Sequence, residues 1–187
     1  MAKKFPRIEQ VHREFIQRQK MFFNATAAHG ARVNVSPRDV ASFRVLSSNQ
    51  VAYLDLTGSG NETAAHLRAD GRLTILFCSF ERAPMILRLY GRGRVVSRRS
   101  REYSELLNRY FANVEPVGTR QLVVLDVDLV QESCGYGVPR YLFLGERPTL
   151  TRWAEAKTPE QIEQYRRDVN TCSLDGLPTG LLEDDNP

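Results

Sequence analysis

The sequence predicts a mainly β protein, folded as a barrel or a strongly curved antiparallel sheet with a few short helices. Short segments rich in β-branched and aromatic residues recur along the chain, and polar or turn-forming residues separate them. Only a few stretches have helical periodicity. A length of 187 residues with 42% hydrophobic content suits one core. A curved or closed sheet also removes exposed edges without needing a long chain.

The elements follow in order along the chain. Apolar residues at near-helical spacing predict an opening helix in residues 6–20. Strands are predicted at residues 21–28, 31–37, 43–46, 51–56, 72–80, 85–96 and 121–131. Further helices are predicted at residues 61–70, 97–111, 150–157 and 158–169. Gly91 and Gly93, inside one predicted strand, indicate a bulge or a close approach of another backbone.

The predicted organisation is a single domain in three parts. Residues 1–20 form an N-terminal helix, residues 21–147 the barrel, and residues 148–187 C-terminal helices and a tail. The last dozen residues are expected to be poorly ordered.

Composition excludes several classes of protein. No stretch approaches the roughly 18 apolar residues of a membrane span, and the N-terminus alternates charged with apolar residues, so we expect a cytoplasmic protein without a membrane partner. Net charge is +4, but an acidic tail at Glu183–Asp185 and balanced charges elsewhere argue against a nucleic-acid surface. The three cysteines and three histidines lack the spacing of metal ligands, so no metal site is expected.

The most informative segment is LDLTGSGNET, residues 54–63, in which a strand passes two glycines and enters a helix. A helix N-terminus leaves about four amide groups free and carries partial positive charge, so phosphate binds well there. Thr57, Ser59 and Thr63 add hydroxyl groups, and Asn61 adds an amide donor. The alternative is a capping box, in which Ser59 and Glu62 satisfy each other's backbone amides without a ligand.

A mononucleotide also needs a cationic partner for its phosphate and backbone groups for its ring. The segment RVNVSPRD, residues 32–39, offers both on a neighbouring strand. Arg38 is the preferred phosphate partner and Arg32 the first alternative. Arg44 and Arg88 lie on adjoining strands, and any of the four arginines can equally be a surface charge.

The order of MFFNATA, VNVSP, FRVL, VAYLDLTGSGNETAAHLRADGRLTILF, LRLYGRG and SCGYGVP resembles the FMN-binding split-barrel proteins related to pyridoxamine 5'-phosphate oxidase. The resemblance covers roughly residues 21–143. It implies a six-stranded-type antiparallel split β-barrel and a homodimer with FMN at the subunit interface. The residues that it and the motifs assign to the cofactor are Asn34, Val35, Ser36, Arg38, Asp55, Leu56, Thr57, Ser59, Asn61, Thr63, Arg88 and Tyr136.

The chain also departs from the family pattern. Where the oxidases carry a Ser-Arg-Lys run at the start of the phosphate-binding helix, this chain has Asn61, Glu62 and Thr63. Each charged hydrogen bond to phosphate contributes about 1.5–3 kcal/mol, so arginines of nearby strands must compensate. The C-terminal region differs as well, which argues against pyridoxamine phosphate as the substrate. In SCGYGVP, Tyr136 either covers the flavin or packs into the dimer interface.

These observations predict an FMN-dependent oxidoreductase, with a small-molecule substrate and NADH or NADPH as an electron donor. The flavin performs the chemistry, so no catalytic side chain is assigned. The alternatives are a flavin carrier or sensor without turnover, and a barrel that binds haem or a deazaflavin. The haem alternative requires an axial histidine that faces a cavity.

Overall fold

The structure is a computed structural model that describes residues 2–183. One antiparallel sheet dominates it and short helices surround the sheet. The strands are β1 Lys3–Phe5, β2 Met21–Thr26, β3 Asn34–Asp39, β4 Phe43–Val45, β5 Gln50–Leu56, β6 Arg72–Cys78, β7 Ile86–Ser97 and β8 Thr119–Ser133. The helices are α1 Gln10–Arg18, α2 Glu62–Ala69, α3 Arg101–Phe111, α4 Thr149–Glu155 and α5 Pro159–Val169, with a 3₁₀ turn at Val40–Ser42.

The sheet curls around an apolar core, and a second apolar cluster joins α3 to β5, β7 and β8. Its strand order is β3-β2-β6-β7-β8-β5-β4, and β1 pairs with β8 outside this path. Phe22, Tyr53 and Phe77 meet at the centre of the core, and all three are fully buried. The predicted mainly β, antiparallel, split-barrel architecture is therefore confirmed, with eight strands in the sheet.

The two glycines of β7 behave as the sequence predicted. The β7–β8 register shifts between Tyr90 and Gly91, which is a bulge, and a Cβ at Gly91 would overlap the backbone of Asp126. A Cβ at Gly93 would meet the side chains of Leu73 and Leu67 at 2.7 and 2.8 Å. Glycine at this position therefore allows α2 to pack closely on the sheet.

Alternation along the strands separates an inner from an outer face of the sheet. On β2, the inward positions Phe22, Asn24 and Thr26 are buried, whereas the outward positions are half-buried. The outward positions of the neighbouring strands form a continuous face that is largely apolar. Its members in two cross-strand rows are Val35, Ala25, Thr74, Tyr90 and Leu129, then Pro37, Phe23, Leu76, Arg88 and Gln131.

The chain after α5 folds back onto the start of α2. Asn170 is fully buried, and its side-chain amide donates to the Gly58 carbonyl at 3.0 Å. Thr179 is also buried, and its hydroxyl donates to the Asn170 carbonyl. Residues 176–183 of the final dozen thus lie against the fold, and residues 184–187 lie outside the described residues. Within residues 2–183, no helix has the length and apolar character needed to cross a bilayer.

Candidate functional site

A continuous set of polar side chains joins the edge strand β3 to β5 and α2. Asn34, Ser36 and Arg38 alternate along β3 and point to the inner face, where they are half-buried. Val35, between them, points outward and is 61% exposed. The strand was predicted at residues 31–37 but runs over Asn34–Asp39, so Arg38 is a strand residue whose direction is fixed by the pleat.

Arg38 reaches across the open side of the curled sheet. Its Nε donates to Asn24 Oδ1 at 3.1 Å, and its Nη1 donates to Asp55 Oδ1 at 2.5 Å. Its side chain is 20% exposed. The two bonds occupy Nε and Nη1, and within the described chain Nη2 donates to no protein acceptor.

Asp55 is the fully buried carboxylate at the centre of this group. Its Oδ2 accepts from Arg120 Nε and from Gln121 Nε2, both at 2.8 Å. Burial alone would raise the pKa of Asp55, but the charges of Arg120 and Arg38 outweigh burial and lower the pKa to about 2. Asp55 is therefore ionised at neutral pH, and the two arginines leave the group with one net positive charge.

Asn24 connects Arg38 to the start of α2. Its Nδ2 donates to Thr63 Oγ1 at 2.7 Å, and Asn34 Nδ2 donates to the same oxygen at 3.2 Å. Ser36 in turn donates to Asn34 Oδ1 at 2.9 Å. Thr63, 2% exposed, thus acts as an acceptor that holds β2 and β3 against α2.

The start of α2 has no side-chain cap. The alternative interpretation, a capping box between Ser59 and Glu62, is wrong: Ser59 is exposed, and Glu62 Oε1 accepts from the backbone amide of Leu174. The N-cap residue Asn61 is buried, accepting from Gln121 and donating to the Asn170 carbonyl. Within the described chain, the backbone amides of residues 59–63 donate to no acceptor. These amides satisfy the first requirement of a phosphate site.

Several predicted site residues lie away from this group. Thr57 donates to the Gly118 carbonyl and accepts from Arg166, so its hydroxyl serves the packing of α5. Ser59 lines a surface cavity of about 430 Å³ together with Trp153 and Tyr165. Leu56 ends β5 at a register shift and is half-buried.

Arg88 and Tyr136 belong to the outer face and the loop beyond it. Arg88 lies on β7 in the outward row and donates to Ser133 Oγ at 3.2 Å. Tyr136 is 81% exposed in the loop after β8, where Gly135 adopts a φ of 67°. Val35 shares this outer face. The predicted residues therefore divide into an inner polar group, the turn beside α5 and the outer face.

The alternative arginines are occupied elsewhere. Arg32 pairs with Asp175 through its side chain and its backbone amide. Arg44 donates to three backbone carbonyls, and its guanidinium lies 4.9 Å from the centre of the Phe111 ring. Of the four arginines considered, Arg38 alone belongs to the polar group at α2.

Sequence reasoning missed three members of the group: Asn24, Arg120 and Gln121. A signal existed for Asn24, because it lies two residues after Phe22 in a strand whose alternate positions point inward. No local signal existed for Arg120 or Gln121. Their role depends on β8 pairing with β5, which places Gln121 opposite Asp55.

The three histidines lie on separate parts of the fold, on α1, in the turn after β2 and on α2. His12 and His66 are fully buried, and His12 lies between the Glu9 amide and the Glu132 carboxylate. His66 contacts Thr26 through Nδ1, whereas His29 is exposed in a turn. Among residues 2–183, no group of three or more histidine, cysteine or acidic residues is arranged to hold a metal ion.

The sequence is similar to that of proteins of one described family. The family model described as pyridoxamine 5'-phosphate oxidase matches residues 8–134. The protein ustO of Aspergillus flavus, described as a pyridoxamine 5'-phosphate oxidase family protein, is 38% identical over 182 residues, covering 89% of this chain and 73% of ustO.

Two solved structures have the same fold. HupZ of Group A Streptococcus superimposes with a TM-score of 0.54 at 19% identity, covering 65% of this chain and 91% of HupZ. A pyridoxamine 5'-phosphate oxidase-like protein of Lactobacillus delbrueckii gives a TM-score of 0.53 at 14% identity, covering 67% and 94%. At these identities the likeness shows the fold alone.

Proposed function

This chain belongs to the pyridoxamine 5'-phosphate oxidase family, and on that premise we propose that it binds FMN and acts as a flavin-dependent oxidoreductase. One observation carries the proposal: Arg38, held by Asn24 and Asp55, is linked through Asn24 and Thr63 to the start of α2, whose first backbone amides have no acceptor within the described chain. A guanidinium and a helix N-terminus together are the donors that a phosphate group needs.

The donor set fits a phosphate group although the helix start lacks arginine and lysine. Asp55 holds Arg38 in place, and Arg120 offsets the charge of Asp55, so Arg38 keeps its attraction for an anion. Ser36 and Asn34, on the same side of β3, hold the strand in place: Ser36 donates to Asn34, and Asn34 donates to Thr26 and Thr63. In this proposal β3 supplies the charge that the family pattern places on α2.

The outer face of the sheet suits the flavin ring and a second subunit. Val33 and Val35 are 72% and 61% exposed, and Leu142 and Leu144 of the loop after β8 are also largely exposed. Exposed apolar residues in this number mark an interaction surface. We infer a homodimer in which the ring lies between this face and the partner, with Arg88 and Tyr136 near its edge.

The bound flavin would supply hydride or electron transfer, and the protein would supply binding, orientation and exclusion of water. No side chain of the inner group is free to act as an acid or base, because Asp55 is held ionised between two arginines. The proposal does not include pyridoxamine phosphate as the substrate, since the SCGYGVP segment, residues 133–139, departs from the pattern of the oxidases that bind it. The substrate is a small molecule reduced or oxidised by the flavin, with NADH or NADPH as the electron donor.

Haem binding finds no support in the histidines. An axial ligand must face a cavity, but His12 and His66 are fully buried: both ring nitrogens of His12 have protein partners, and His66 contacts Thr26 through Nδ1 while its Nε2 has no partner within the described chain. A flavin carrier without turnover would use the same phosphate site as an oxidoreductase. The rate at which NADH or NADPH reduces the bound FMN distinguishes the two functions.

The test loads the purified full-length chain with FMN and mixes it with NADH or NADPH under anaerobic conditions. Bleaching of the flavin absorbance within seconds to minutes, followed by recovery on admitting air, supports an oxidoreductase. Bound FMN that neither nicotinamide reduces supports a carrier. Failure to retain FMN contradicts the proposal as a whole.

A further inference from the structure

A second cavity is lined by Arg120, the buried arginine whose Nε donates to Asp55. It has a volume of about 440 Å³ and is bounded by α3, the start of β8, α5 and residues 179–182. Four arginines and two glutamates line it: Arg98, Arg99, Arg120, Arg166, Glu115 and Glu163. The residues proposed to hold the flavin phosphate, Arg38 and the amides of residues 59–63, are not part of its lining.

Arg120, which lines this cavity, carries a buried donor without a partner among the described residues. Its side chain is 1% exposed, and its Nε is engaged by Asp55 at 2.8 Å. Its Nη1 is buried, and within the described chain it has no hydrogen-bond partner. A buried guanidinium N–H without an acceptor is costly, so such a group indicates a ligand or a bound solvent molecule that accepts from it.

The other cations of the cavity are fixed by protein contacts. Arg98 donates twice to Glu115, at 2.8 and 2.6 Å. Arg166 donates to Thr57 Oγ1 and to the Thr119 carbonyl. Burial lowers the pKa of Arg166, Glu163 opposes this, and the neighbouring charges of Arg98 and Arg120 lower it further. Like charges are therefore held close together, which an anion would relieve.

We propose that this cavity binds a small organic anion, a phosphate ester or a carboxylate, whose oxygen accepts from Arg120 Nη1 while Arg98 and Arg166 supply positive potential. The volume lies within the range of small-molecule sites. The planar guanidinium donates equally well to phosphate and to carboxylate oxygens. Phosphate esters and carboxylates therefore fit the site through the same hydrogen bonds. The proposal does not depend on flavin binding.

The test titrates inorganic phosphate and citrate, one probe for each source, into the full-length chain with and without saturating FMN. Isothermal titration calorimetry at low ionic strength measures the affinity. We expect saturable binding of at least one probe, with the same affinity in the presence of FMN. Binding that FMN abolishes would place the anion at the flavin site and overturn the proposal, as would the absence of saturable binding.

Variants locate the bound anion. Arg120→Lys keeps a positive charge beside Asp55 but removes the guanidinium fork, and Ser104→Trp fills the cavity from the exposed side of α3 without changing Arg120. Each should weaken anion binding at least about tenfold. Asn108→Trp, on the exposed surface of the same helix and outside the lining, is the matched control and should bind as wild type does. Undiminished binding by Ser104→Trp, with its melting temperature unchanged, would overturn the proposal even if Arg120→Lys fails to fold.

Discussion

Arg38 is the residue on which the proposed phosphate site depends. Arg38→Gln removes the cation but retains a side chain that can hydrogen-bond to Asp55. A lost charged hydrogen bond to phosphate costs about 1.5–3 kcal/mol, so FMN affinity should fall about ten- to hundredfold. Quenching of flavin fluorescence on titration measures the change. Arg44→Gln is the control, since Arg44 serves backbone carbonyls of its own region, and a larger loss in that variant would move the site to β4.

Asp55 carries a second prediction, on stability and pH. Asp55→Asn leaves the buried Arg120 without its counter-charge, so the free energy of unfolding at pH 7 should fall by about 3–5 kcal/mol. Urea denaturation measures this loss. Asp126→Asn, at an exposed position on β8, should stay within about 0.5 kcal/mol of wild type.

The pH dependence of the same variant follows from the sign of the pKa shift. The pKa of Asp55 is lowered in the folded chain from an ordinary 3.8 to about 2, so its contribution is complete at neutral pH and is lost as the pH falls from about 4 to 2. Wild type should therefore lose more stability than Asp55→Asn over this interval. Parallel stability curves for the two proteins would show that Asp55 is not held ionised.

At the scale of elements, the packing of α2 on β7 decides how firmly the phosphate site is held. Gly93→Ala would bring a methyl group to 2.7–2.8 Å from the side chains of Leu73 and Leu67. Overpacking of this kind typically lowers the free energy of unfolding by about 1–3 kcal/mol, and chemical denaturation measures the loss. The control is Gly137→Ala, because a Cβ there meets nothing within 4 Å. Equal stability of both variants would mean that α2 moves away from the sheet at little cost.

The elements also show what the sequence could predict. The strand, turn and helix from Gln50 to Ala69 were predicted because alternation, glycines and helix-forming residues are local signals. The three-residue strand β1 was missed, since so short a segment has no periodicity of its own. The absence of the capping box had no local signal either, because Leu174 and Asn170 reach the start of α2 from more than a hundred residues away.

At the scale of the whole molecule, the outer face of the sheet is the proposed dimer interface. Val35→Asp would bury a charge in that interface, and we expect the protein to become monomeric in light scattering coupled to gel filtration. Val114→Asp is the control, since Val114 is 64% exposed on a loop away from the sheet and Val35 is 61% exposed. A dimeric Val35→Asp protein, or a monomeric wild type, would contradict the proposed interface.

The proposed phosphate site and the proposed dimer face rest on one central claim, that the protein binds FMN. The most direct measurement is the visible absorption spectrum of the full-length chain after incubation with FMN and removal of the excess by gel filtration. The proposal predicts two broad flavin bands that stay with the protein and correspond to one FMN for each chain. A colourless protein after this treatment would contradict it.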